Sequence, residues 1–172
     1  QQIRLRRPHV VITFDPIGGY RHPDHIAIQR ATVRAFHAAA DPAFPSGLPP
    51  YAPQRLYFTT FSRGFLRAIV ATMRLFGRDP RRFGTNGDVD LLAIAEVEFP
   101  IHARVDIRSV DSVKAAASAC HASQGGGSPT NFLMSAFFRL FGGHELFTQA
   151  HPDPAPGRRE SDLFAGVRLD HE

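Results

Sequence analysis

Two kinds of hydrophobic pattern alternate along the chain. Val10-Val11-Ile12, within His9 to Phe14, is a continuous β-branched run and predicts a strand buried on both faces, as in a parallel sheet covered by helices. After the turn residues Asp15-Pro16 and Gly18-Gly19, the period changes. Residues 25 to 39 carry Ile28, Thr32, Ala35, Phe36 and Ala39 at 3.6-residue spacing, which predicts an amphipathic helix. Residues 41 to 53 hold five prolines and Gly47 and form a loop. Arg55 to Phe61 predicts a second strand, and 63 to 76 a second helix. RDPRRFGTNGD is again a loop, with a strand expected around Ala103 to Ile107. Ser109 or Asp111 could cap a helix over 112 to 124, stopped by Gly125-Gly126-Gly127. A helix over 130 to 141, a short strand near Glu145 to Gln149 and a proline-rich tail complete the chain. Upstream of Pro8 the residues read as the tail of a helix.

Strand, loop and helix in this order make an α/β protein. At 172 residues the expectation is a single domain spanning 1 to 172. Open sheets of this kind take ligands at the carboxyl ends of their strands, and here that position holds the segment GGYRHPDHI, residues 18 to 26.

Charge and cysteine content narrow the chemistry. The net charge of +4 comes from scattered arginines, with short clusters at Arg4/Arg6/Arg7, Arg78/Arg81/Arg82 and Arg158/Arg159. A solvated surface explains these better than a nucleic-acid interface. Cys120 is alone, so any metal must be held by histidines and carboxylates. No run is long enough for a membrane span, and no signal-peptide pattern opens the chain, so a cytoplasmic location is expected.

Within HPDH, Asp24 is expected to cap the following helix and His25 to fall in its first turn. The helix dipole disfavours positive charge there, and neutral imidazole is the form that binds a metal. His22 can face the same loop cavity, with Asp24 close enough to fix its tautomer. Tyr20 offers a phenol to a developing oxyanion. The plain alternative is a capped turn without chemistry. HPDH alone cannot supply the three protein ligands a metal needs.

Other residues are candidate partners. His102, Asp106 and His121 could in principle form a separate site, although 102 to 106 reads as strand. His121 either buttresses the HPDH loop or sits on a helix surface. Asp15 either bonds the loop amides or reaches a ligand. His144-Glu145 reads as a turn, and FLMSAFFRLF as core or as the face of a homo-oligomer.

VVITFDPIGGYRHPDHIAIQRATVRAF resembles the second signature of the LmbE-like, or PIG-L, family of zinc-dependent N-acetylglucosamine deacetylases. AAASACHASQ resembles the family's later helix with its H-x-SQ segment, with Lys114 at the matching lysine. The likeness runs from about residue 3 to DLFAGV. It implies a Rossmann-like, mostly parallel sheet with helices on both faces. It also implies His25 as a zinc ligand, His22 as acid or electrostatic stabiliser, Asp24 as its orienting partner and Tyr20 as a group polarising the carbonyl. Arg21, Asp15 and His121 are the candidate substrate contacts. The reaction implied is hydrolysis of the acetamide of a small N-acetylated glycoconjugate, with zinc or another divalent metal as Lewis acid.

Two departures qualify the likeness. No AHPDD-type first signature is present, so the chain is expected to be the C-terminal portion of a family member, carrying the second half of the active site. Arg21 stands where the family more often has glycine. The rival reading is a non-catalytic module that holds a sugar or anion with the GGYRHPDH loop.

Overall fold

The computed structural model describes residues 1–84, 87, 89–121 and 143–169. Four strands form one sheet in the order β1-β2-β4-β3. β1 (Val10–Phe14) and β2 (Arg55–Thr60) are parallel neighbours from Val10↔Arg55 to Phe14↔Thr59. β4 (His144–His151) is antiparallel to both β2 and β3 (Ala103–Asp106). β1, β2 and β3 therefore run one way, as the α/β reading expects, and β4 is inserted against them. Asp106 pairs with His144, so the chain leaves β3 and re-enters as β4 at the same sheet edge. A return to the edge just left must be antiparallel. The carboxyl ends of β1, β2 and β3 and the amino end of β4 thus share one edge.

The crossover between β1 and β2 runs through α3 (Pro23–Ala40) and the proline-rich loop. The α3 face differs from the expected one. Gln29, Phe36 and Ala39 are buried, whereas Ile28 is 51% exposed and Ala35 also faces out. The stripe through 29, 32/33, 36 and 39 has the same 3.6-residue period, rotated by one position. β1 is likewise less enclosed than its β-branched run implies. Ile12 is 47% exposed, because β1 ends the described sheet and no described strand flanks it.

α4 (Arg63–Leu75) follows β2 and is capped by Ser62, whose Oγ accepts from the Phe65 amide at 3.0 Å. Its buried stripe Leu66, Ile69, Val70 and Met73 packs on Leu91 and Ile94 of α5 (Leu91–Ala95), a short helix the pattern did not announce. Asp90 nucleates that helix by accepting from the amides of Leu92 and Ala93. A second cluster, Tyr57, Ala103 and Phe147, fills the centre of the sheet. α6 (Asp111–Ala119) follows a 3₁₀ turn at Arg108–Val110. The expected glycine stop and the 130 to 141 helix lie outside the described residues. No described helix is long and apolar enough to cross a membrane.

One charged side chain ties the amino end of the chain to this frame. Arg4 lies in α1 (Gln2–Arg6) and is 5% exposed, without a carboxylate partner in the described residues. It donates to the carbonyls of Ala38, Ala39, Asp41, Phe44 and Leu48 and to Ser46 Oγ. The last carbonyls of α3 carry the negative end of its dipole, so a guanidinium there is favoured. Arg4→Ala would strand several buried carbonyls and is expected to cost roughly 3 kcal/mol. Urea denaturation checks this, with a shifted midpoint at unchanged m-value as the expected result.

Candidate active site

The site grows from the exit of β1. Asp15, the next residue, is 2% exposed, and its Oδ1 accepts from the amides of Ile17 at 3.0 Å and Gly19 at 2.8 Å. Its own carbonyl accepts from Gly18 N at 2.9 Å. Asp15 thus holds the loop, and at this burial it is not displayed as a sugar contact. Burial pushes its carboxyl above the ordinary value, outweighing the amides of Gly19, Ile17 and Gly18, which pull it down.

The chain then makes the irregular turn α2 (Gly18–Arg21), with Gly18 at φ 67° and Gly19 at φ 70°. A Cβ on Gly18 would lie 2.9 Å from His25 Cβ, Ile26 Cγ1 and Ile26 N, so only glycine lets the turn sit this close to α3. Arg21 has φ 65°, a left-handed conformation that glycine adopts without penalty. The substitution noted in the sequence therefore falls where glycine would be least strained. The Arg21 guanidinium reaches towards α5, 3.4 Å from the Ala93 carbonyl.

His22 is extended, as a residue before proline must be, and Pro23 opens α3. Since Pro23 occupies the first helical position, the cap moves back to His22. Its Nδ1 accepts from the Asp24 amide at 3.2 Å, and the expected Asp24 cap is not formed. The Asp24 carboxylate is exposed, with Oδ2 4.0 Å from His22 Nδ1, beyond hydrogen-bond range. The tautomer of His22 is therefore set by the backbone amide of Asp24 and not by its side chain. A neutral ring whose Nδ1 accepts keeps its proton on Nε2.

His25 has the opposite arrangement. Its Nδ1 lies 3.2 Å from the Gly18 carbonyl, which can only accept, so Nδ1 carries a proton and the neutral ring keeps its lone pair on Nε2. Phe14 stacks on the ring, with centroids 3.9 Å apart and planes 5° from parallel. Tyr20 meets it edge-on at 5.0 Å, and the His22 ring is 4.9 Å away. The structure thus brings Tyr20, His22 and His25 together. The Phe14 stack and the Gly18 carbonyl were not anticipated, since strand alternation does not say which loop atom will meet a ring.

The other candidates are engaged elsewhere. His121 is exposed beyond α6 and makes no ring or hydrogen-bond contact with Tyr20, His22 or His25 among the described residues. His102 Nδ1 accepts from Gln149 N at 3.0 Å, and burial pushes its pKa down. Arg108 holds the Asp106 carboxyl well below the usual carboxylate range. His102, Asp106 and His121 therefore do not make an alternative site. Among the described residues no group of three His, Cys, Asp or Glu could hold a metal. His25 fits as one ligand of such a site; a complete set does not fit the described residues.

Two expectations follow from the loop. Gly18→Ala meets both a left-handed φ and the Ile26 backbone and is expected to cost roughly 2–4 kcal/mol. Gly19→Ala has open space and should cost only about 1 kcal/mol. Equal losses in thermal or urea denaturation would contradict the close packing at Gly18. For Asp15 the raised pKa means that the folded state holds the proton more tightly than the unfolded chain. Stability from this group is then greatest below pH 3.8, declines as pH rises through the folded pKa, and is level above it. The advantage of wild type over Asp15→Asn should shrink across that window; a pH-independent difference would refute the assignment.

No family model matches the chain. It is 36% identical over 167 residues to the 1D-myo-inositol 2-acetamido-2-deoxy-alpha-D-glucopyranoside deacetylase of Thermobifida fusca (strain YX), covering 95% of this chain and 57% of that protein. Proteins of the same name from Rhodococcus erythropolis and Thermobispora bispora are 33% and 36% identical, over 96% of this chain and 56% and 59% of theirs. The chain therefore spans less than two thirds of the length of these curated relatives. Among solved structures, the conserved protein TT1542 from Thermus thermophilus aligns with a TM-score of 0.56 at 24% identity, covering 90% of this chain and 56% of that one, a likeness of fold. With the GGYRHPDH loop folded as described and this identity along nearly its whole length, the chain is a homologue of part of these deacetylases.

Proposed function

We propose that this chain carries part of the active site of a metal-dependent hydrolase that removes the acetyl group from a 2-acetamido-2-deoxy glucoside. The observation that carries this reading is the pair of imidazoles 4.9 Å apart with opposite tautomers, one offering a lone pair and the other a proton. The substrate class follows the activity for which the relatives are named.

His25 Nε2 would hold a divalent cation, with the Gly18 carbonyl orienting the ring through Nδ1–H. Such an ion, when bound, supplies Lewis acidity and an acidified water. In this reading the remaining ligands and the general base lie outside the described residues, consistent with the share of the relatives that the chain spans.

His22, with its N–H on Nε2, would hydrogen-bond the negative charge of the tetrahedral intermediate as an electrostatic stabiliser. The Tyr20 hydroxyl would donate to the carbonyl oxygen as negative charge develops. Phe14 and Tyr20 pack about His25 and restrict its rotation and its access to water.

The test uses the intact protein that contains this chain, assayed for acetate release and bound zinc. His25→Ala is expected to lose both. His22→Ala should keep the metal and lose roughly 10²–10⁴-fold in kcat, and Tyr20→Phe should lose about 10²-fold, also with metal retained. Normal zinc and turnover in both histidine variants would overturn the reading, as would sugar binding without hydrolysis by the wild-type protein.

A further inference from the structure

A second feature occupies the same sheet edge. A cavity of about 530 Å³ opens at the carboxyl end of β2, lined among the described residues by Thr59, Ser62, Arg104, Lys114, Glu145 and Arg159, with Phe61 and Ile101 as apolar walls. Thr59 is the register partner of Phe14, on which His25 stacks, so the cavity lies one strand across from the histidine cluster. A volume of this size accommodates a sugar-sized molecule.

Its electrostatics are one-sided. Three cations face one carboxylate. Lys114 Nζ is satisfied by Glu145 Oε1 at 2.6 Å. Arg104 Nη2 lies 3.2 Å from His144 Nδ1, and the guanidinium has no carboxylate partner among the described residues. Arg159 has no hydrogen-bond or ion-pair partner among the described residues, while its neighbour Arg158 is paired with Glu160. The 13-residue helix α4 also begins at this cavity through its cap Ser62, and it has no acidic residue in its first turn to offset the positive end of its dipole. Arg63 in that turn is directed away, to Glu98 and the carbonyls of Ala95 and Glu96.

Two guanidinium groups without a carboxylate partner among the described residues, a helix amino end and the hydroxyls of Thr59 and Ser62 surround a space with apolar sides. We infer that this cavity binds the oxyanion group, phosphate or carboxylate, of a small polar molecule, with Arg104 and Arg159 as its principal contacts. The site is separate from the Tyr20–His22–His25 cluster and does not depend on the function proposed for it. Arginine suits the task because its planar fork can grip two oxygens at once.

The experiment titrates the intact protein with glucose 6-phosphate, glucuronate and glucose, following binding by calorimetry at low ionic strength. Binding of either anion but not of glucose is expected, and the stronger of the two identifies the oxyanion. Arg104→Ala and Arg159→Ala are both exposed substitutions, and each should weaken that binding at least tenfold while circular dichroism is unchanged. His22→Ala should leave it intact. The inference is overturned if neither anion binds, if glucose binds equally, if 0.1 M chloride abolishes binding, or if His22→Ala removes it while the arginine variants do not.

Discussion

Everything at the proposed site hangs on how a buried carboxylate is answered. Asp15 is taken out of water at the end of β1, and an ionised group so placed costs several kcal/mol unless hydrogen bonds replace the solvent. The amides of Ile17 and Gly19 provide part of that replacement, and making both bonds requires the chain to fold back over the carboxylate within four residues. The fold-back needs left-handed backbone at Gly18 and Gly19 and brings Gly18 against the first turn of α3. Only then does the Gly18 carbonyl meet the ring of His25. The position of a candidate ligand is thus a consequence of a turn that would otherwise be read as loop chemistry alone.

The parts of this arrangement that depend on local periodicity could be read from the chain. β1, β2 and α4 fall within a residue or two of the expected bounds, because apolar run and helical stripe both announce themselves over short windows. What the sequence concealed is set by neighbours in space. The α3 stripe admits two adjacent rotations, and burial of Gln29 in place of Ile28 is decided by what the helix packs against. Asp24 is a better cap by residue type than His22, yet Pro23 needs the first helical position and displaces the cap. The coincidence of glycines, strand exit and helix start at HPDH was legible. The Phe14 stack was not, because nothing in a strand's alternation marks its last residue as the support of a ring.

The reversed strand β4 shapes the other half of the edge. A fourth strand parallel to the rest would begin at the opposite side of the sheet. Because β4 runs backwards, its first residues, His144 and Glu145, arrive beside the ends of β2 and β3. Glu145 then pairs with Lys114, while Arg104 meets the His144 ring and no carboxylate among the described residues. Two chemically distinct environments result on one edge, an aromatic and imidazole cluster at β1 and a cationic cavity at β2, one strand apart.

The imidazole pair shows how little side-chain machinery this division requires. His22 and His25 are three residues apart, of the same type and in ring contact, and a pair in identical surroundings would have no reason to act differently. One backbone amide at Asp24 and one backbone carbonyl at Gly18 break the symmetry, since an amide can only donate and a carbonyl can only accept. The first leaves His22 with an N–H to give, and the second leaves His25 with a lone pair. Both groups are placed by backbone conformation alone, the helix start at Pro23 and the left-handed turn at Gly18. The residues that decide which neutral ring keeps its N–H on Nε2 and which keeps a lone pair there are therefore a proline and a glycine that have no chemistry of their own.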